Sequence, residues 1–201
     1  MTQRISMWQR VSRPLKVVMI FGLLFTLTGF ACRPALAFTA GAKAEFGLRY
    51  GYGQTIQAHE TLHFNSFFPR WGIFLTKANN PVLGRLRLSL VLEGILGSIT
   101  DHNRGWEIGM TPLLKLSYPF GRILGYLEGG AGLIWENIDS PTYAHTFNFS
   151  PQIGVGFDIN LFGGYALTLG YRFRHTSNAG LYRENPGVNS NFFLIGLAYY
   201  Y

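Results

Sequence analysis

The chain has 201 residues, 48% hydrophobic and 16% aromatic but only 13% charged, about half the ~25% charged share of a soluble globular domain. A single cysteine excludes a disulfide scaffold or a Cys-rich zinc module, and 25 glycines without a collagen period or proline enrichment do not describe disorder. The net charge of +7 is no nucleic-acid footprint: five of the seventeen basic residues, Arg4, Arg10, Arg13, Lys16 and Arg33, lie before position 38, where there is no acid, and the remainder carries twelve basic against ten acidic residues.

A basic stretch ends at Lys16, an apolar run covers Val17 to Ala31, and Ala35-Leu36-Ala37 forms an A-x-A site. These are the three parts of a secretory signal peptide. They predict residues 1–37 as the signal and residues 38–201 as a single domain. The apolar run is shorter than the ~20 residues a spanning helix needs. Cys32 raises a lipoprotein reading, but the residues before it fit a lipobox poorly. No second apolar run approaches membrane-helix length, so a membrane location has to come from strands.

From residue 38 onward the hydrophobic period is 2. Leu86, Leu88, Leu90 and Leu92 alternate with Arg85, Arg87, Ser89 and Glu93; Ile153, Val155, Phe157 and Ile159 alternate with Gln152, Gly154, Gly156 and Asp158. The pattern predicts eight strands at about 42–52, 62–76, 85–97, 105–118, 122–136, 146–160, 164–175 and 191–201. Tight connections (NNPVLG, PFG, LFGG) follow the even strands and longer ones follow the odd strands. One face of each strand is almost purely aliphatic and aromatic. The expected fold is therefore all-β, an eight-stranded antiparallel transmembrane β-barrel of the outer-membrane type, with its N-terminus in the periplasm. A barrel this narrow fills with side chains, so Glu45, Arg49, Arg87, Glu93, Glu107, Lys115, Glu128, Asp158, Arg172 and Arg174 are expected to form an internal paired network and not a porin lining. Trp71, Trp106 and Trp135 suit interfacial aromatic girdles.

In the seventh strand Tyr165, Leu167, Leu169, Tyr171 and Phe173 share one parity, and continuing it places His175 and Ser177 on the lipid-facing side near the loop rim. Polar residues facing lipid are costly and point to function; the alternative is that the strand ends near Phe173 and both are solvated loop residues. Positions i and i+2 of a strand lie about 7 Å apart on one face, within reach for an imidazole to activate a serine if the strand bends. Asn178, Asn185 and Asn189 follow, each able to donate to an oxyanion or to orient the imidazole.

The stretch GYRFRHTSNAGLYRENPGVNSNFFLIGLAYYY resembles the C-terminal signature of the lipid A 3-O-deacylase (PagL-like) outer-membrane family, whose core is H-x-S-N-A-G. YLEGGAGL (Tyr126–Leu133) and FNFSPQIGVGFD (Phe147–Asp158) resemble that family's middle strands. The resemblance implies His175 as general base, Ser177 as nucleophile, and Asn178, Gly180 and Asn185 in the segment associated with the oxyanion site. It also implies lipid A of lipopolysaccharide as substrate, ester hydrolysis as the reaction, and the outer membrane as location with the site toward the outer leaflet. Well-known members carry a glutamate fourteen residues after the histidine, where this chain has Asn189. Asn189 can orient the imidazole but not compensate its charge; Glu184 is the alternative acidic partner.

His59-Glu60-Thr61-Leu62-His63 matches H-E-x-x-H, but that pattern grips zinc only from a helix, and here it runs from a loop into an aromatic strand. No metal or cofactor is expected, and no nucleic-acid partner; a homodimer is compatible with the sequence. The rival from another class is a non-catalytic small barrel, structural, adhesin-like or a degenerate relative. An acyltransferase barrel is a third reading, and the motif order argues against it.

Overall fold

The computed structural model describes residues 38–56, 61–81, 83–100, 105–138, 146–182 and 187–201. Among them run eight strands: β1 (Ala44–Ile56), β2 (His63–Phe74), β3 (Arg87–Thr100), β4 (Gly105–Phe120), β5 (Ile123–Ile138), β6 (Phe147–Phe162), β7 (Tyr165–Thr176) and β8 (Val188–Tyr200). Each pairs antiparallel with the next, and β8 pairs with β1, closing the barrel. Closure leaves no edge, so every strand's backbone groups can be satisfied without water. Burial alternates along each strand as the period-2 pattern requires, for example from buried Arg172 and Arg174 to the more open Tyr171, Phe173 and His175 on β7.

Two expectations about boundaries need correction. The eighth strand begins at Val188, three residues earlier than 191, so Asn189 lies in a strand and not in the loop before it. The connection from β2 to β3 is not tight: it runs from residue 75 to 86, with a bridge between Asn80 and Gly84 at its tip. The other two turns on that rim are two residues long, Gly121-Arg122 and Gly163-Gly164, with Gly121 and Gly163 at positive φ (65° and 52°), the conformation that two-residue hairpins demand.

The strands are sheared. The hydrogen-bonded row that starts at Ser98 passes through Asn65, Tyr52, Phe193, Tyr171, Val155, Leu127 and Leu116 and returns to β3 at Leu88, ten residues away. Strand tilt and shear are linked in a closed barrel. Each such row therefore climbs toward the loop rim from β7 through β8 and β1 to β2, and descends from β7 through β6 to β5.

Ion pairs fill the middle of the interior. Arg49 pairs with Glu93 and Glu128, Arg172 with the same two carboxylates, and Arg70 with Glu45 and Glu128 at 3.0 Å each and with Glu93 at 3.4 Å. Lys115 reaches Glu45 at 2.8 Å, Asp158 at 3.0 Å and the Tyr200 hydroxyl at 2.9 Å. Arg174 pairs with Glu107 at 2.7 Å. Sharing each central carboxylate among several cations offsets the cost of burying it. Arg70 belongs to this centre although it was not among the expected members. Arg87, which was, makes no ion pair among the described residues; it donates to the Thr39 and Ala42 carbonyls and stacks its guanidinium 3.4 Å from the Phe74 ring centroid. Toward the loop rim the interior is closed by Leu62, Phe64, Ile99, Ile138 and Phe192, all buried. This is a packed core and not a channel.

The outward face is apolar, with exposed Leu48, Leu90, Leu114, Ile153 and Ile195 in mid-barrel. Trp71, Tyr165, Tyr199 and Tyr201 band the rim that carries the chain's C-terminal end, with Trp71 Nε1 donating to the Tyr201 hydroxyl at 3.1 Å. Trp106 and Trp135 are exposed near the other rim. Paired aromatic belts of this kind mark the two interfaces of a bilayer.

Candidate active site on the outward face of β7 and β8

β7 carries its apolar parity outward through Tyr171 and Phe173, and His175 continues it within the strand. Ser177 follows just past the strand end, and its backbone still pairs with Phe149 of β6: Phe149 N donates to Ser177 O at 2.8 Å and Ser177 N donates to Phe149 O at 3.1 Å. Both residues are half-buried, while their neighbours Thr176 and Asn178 are buried on the inner side. The solvated-loop alternative for His175 therefore fails, since the residue is held in the sheet.

Asn189 stands directly opposite His175 in the β7–β8 register. Directly opposed residues bring their Cβ atoms within about 4.5–5.5 Å, and the side chains meet: His175 Nδ1 and Asn189 Oδ1 are 2.7 Å apart. An amide oxygen accepts, so this contact takes a proton on Nδ1, and in the neutral ring the lone pair is then on Nε2. That is the tautomer a general base needs. The structure does not join Ser177 to His175 by a hydrogen bond.

Sequence reasoning missed Gly187. It has φ +60°, and a Cβ built there would stand 3.0 Å from His175 Cε1 and 3.6 Å from Nε2. A side chain there would crowd this edge of the imidazole, on a backbone conformation that favours glycine. A glycine two residues before the histidine's partner was the available signal.

Asn178 and Gly180 are placed close together but facing each other. Gly180 N donates to Asn178 Oδ1 at 2.9 Å, and Leu181 N donates to Asn178 O at 3.0 Å, folding the segment after Ser177 into a turn with Ala179 at φ +53°. As it stands the Gly180 amide is engaged by Asn178. Glu184 and Asn185 lie outside the described residues, as do His59 and Glu60. His63, the last residue of the H-E-x-x-H pattern, opens β2, with Nδ1 2.8 Å from the Tyr52 hydroxyl. A residue that opens a strand does not share a helix face with the histidine four positions before it, and among the described residues no group of three His, Cys, Asp or Glu is arranged to hold a metal.

A closed eight-stranded barrel with aromatic belts, a packed ionic core and an imidazole–amide pair beside a serine on its outward face defines an outer-membrane-type barrel with a surface-facing candidate hydrolase site. The model of the lipid A 3-O-deacylase (PagL) family matches residues 44–198, and the chain belongs to that family. Among solved structures it is similar to the outer membrane enzyme PagL, with 19% identity, a TM-score of 0.56, and coverage of 75% of this chain and 97% of that one. It is also similar in fold to Neisserial surface protein A (12% identity, TM-score 0.57, 79% and 97% covered) and to Ail, the attachment invasion locus protein of Yersinia pestis (10% identity, TM-score 0.52, 80% and 99% covered). No curated protein matches the chain.

Proposed function

We propose that the protein is a serine esterase of the outer membrane that removes the ester-linked 3-O acyl chain from lipid A, with its site toward the outer leaflet. The observation that carries this reading is the 2.7 Å contact from His175 Nδ1 to Asn189, which leaves Nε2 without a hydrogen-bond partner among the described residues, two positions before Ser177 in the H-x-S-N-A-G motif. His175 Nε2 takes the proton of Ser177 Oγ as the oxygen attacks the ester carbonyl carbon. The tetrahedral intermediate collapses, breaking the bond to the sugar oxygen, which leaves with the proton from His175. A water then gives a proton to His175 and attacks the acyl-serine; the fatty acid departs and Ser177 recovers its proton. The developing oxyanion needs donors. Asn178, Gly180 and Asn185 are the assigned segment, and the Gly180 amide serves only if it gives up its bond to Asn178.

Residues 1–37 serve as the export signal in this reading, so that the mature protein begins at Phe38; N-terminal sequencing of the outer-membrane form checks it. The non-catalytic alternative is favoured by one observation, the absence of a bond from Ser177 to His175. Mass spectrometry of lipid A from cells with and without the protein decides. Loss of one hydroxyacyl mass supports the esterase, gain of an acyl chain indicates a transferase, and an unchanged spectrum indicates an inert barrel.

A further inference from the structure

The two sides of β7 differ at the level of the candidate site. On the β6 side, Ser177 pairs with Phe149, Phe149 with Leu133, and Phe147 with Trp135; Pro151 and Ile153 extend the same wall toward mid-barrel. The outward side chains of this wall, Leu133, Trp135, Phe147, Phe149, Pro151 and Ile153, are apolar, and the polar Asn137 of β5 lies beyond them toward the rim. On the β8 side the outward positions are Asn189 and Asn191; Asn191 pairs with Gln54 of β1, and Gln54 with His63 of β2. Tilt contributes to this contrast, because the rows climb on one side and descend on the other. Shifting by the ten-residue shear over eight strands, a little more than one residue per strand, still sets Phe149 and Leu133 against Asn191, Gln54 and Asn65 at the height of His175.

Polar side chains on a lipid-facing surface are costly. Tyr50 and Tyr52 cover part of that cost, with hydroxyls 2.6 Å from Asn65 Oδ1 and 2.8 Å from His63 Nδ1. Among the described residues no hydrogen bond occupies the amides of Gln54 or Asn191. These two groups are neutral, able both to donate and to accept, and they continue the line from His175 and Asn189. Among the described residues no lysine or arginine stands beside them to hold a phosphate.

We propose that the seam between these walls orients the substrate: the scissile acyl chain lies along β6 and β5, and the uncharged hydroxyl and amide groups of the sugar rest on a shelf made by Asn191 and Gln54. The proposal rests on the esterase reading and names where that site holds the headgroup. An ester approaching Ser177 in the reverse sense would lay hydrocarbon over bare amides and sugar hydroxyls over Phe149, Pro151 and Ile153, losing hydrogen bonds on one side and apolar burial on the other.

The test compares two substrates with the full barrel in detergent micelles: lipid A, and a p-nitrophenyl fatty-acid ester that has no sugar. For Gln54→Leu, Asn191→Leu and the double variant, the ratio of lipid A turnover to ester turnover is expected to fall, about tenfold in the double variant. Ile153→Asn, on the acyl wall, is expected to lower both turnovers together and leave the ratio unchanged. Heat-modifiable gel mobility reports whether each variant is folded, and leucine on a lipid-facing surface does not oppose folding. A wild-type ratio in the folded shelf variants overturns the proposal, as does a fall in ratio for Ile153→Asn alone. A shelf effect that vanishes when the lipid A phosphates are removed overturns the neutral-sugar assignment. If the wild-type protein hydrolyses neither substrate, the esterase reading itself fails and this inference falls with it.

Discussion

The barrel interior and the outward face of β7–β8 both hold polar groups away from bulk water, and they do so in opposite ways. Inside, Glu93 and Glu128 are each shared among Arg49, Arg70 and Arg172, and Lys115 joins Glu45, Asp158 and Tyr200. Outside, one hydrogen bond fixes His175 to Asn189. The interior has far more charge and shares its carboxylates among several cations, although the Nε atoms of Arg49, Arg172 and Arg174 find no partner among the described residues; the rim has little charge and leaves acceptors and donors open. Here the dense ionisable groups pair with one another and build the scaffold, while the proposed chemistry falls to the sparsely bonded outward residues.

The sharpest way to separate the two regions is Ser177→Ala, expected to cut lipid A deacylation by at least ~10⁴-fold while leaving the heat-modifiable mobility of the barrel unchanged; residual activity near wild type removes Ser177 as nucleophile. Glu93→Ala should do the reverse. It leaves Arg49, Arg70 and Arg172 short of a carboxylate in the dry interior, at a cost of about 3–5 kcal/mol, read as a lower temperature or denaturant midpoint for loss of the folded band. Protein that remains folded should keep its activity, because the network does not touch the site.

Within the rim, Asn189→Ala should lower turnover roughly ten- to a thousandfold through loss of the imidazole's positioning contact, and Asn189→Glu should maintain or raise it, since a carboxylate also stabilises the transient imidazolium. If Glu184 is the true partner, Glu184→Gln gives the larger loss and Asn189→Ala the smaller one. Gly187→Ala comes next. A methyl group 3.0 Å from His175 Cε1, on a backbone at φ +60°, should displace the ring enough to cost up to about tenfold in kcat with little effect on assembly. The smallest effect is none: chelators and His59→Ala should leave deacylation unchanged, and sensitivity to either would bring back the zinc reading.

Much of this contrast is legible before any folding. Alternation with period 2 assigns faces residue by residue, so the outward parity of His175 and Ser177 and the inward parity of Glu45, Arg49, Glu93, Glu128 and Arg172 follow from counting along each strand. The H-x-S-N-A-G motif then names the chemistry those outward positions suit.

Counting along one strand says nothing about which residue of the next strand stands opposite, because register is set by pairing and closure. Only the closed sheet decides that β8 starts at Val188 and so puts Asn189 across from His175. The same pairing brings Gly187 against the imidazole and Arg70 from β2 into an ionic centre built from β1, β3, β5 and β7. The ten-residue shear is likewise a property of the whole ring of strands. It carries the rows beside β7 upward past Asn191 and Gln54 and downward past Phe149 and Leu133, so local sequence determined what each position offers and tertiary closure decided what each one faces.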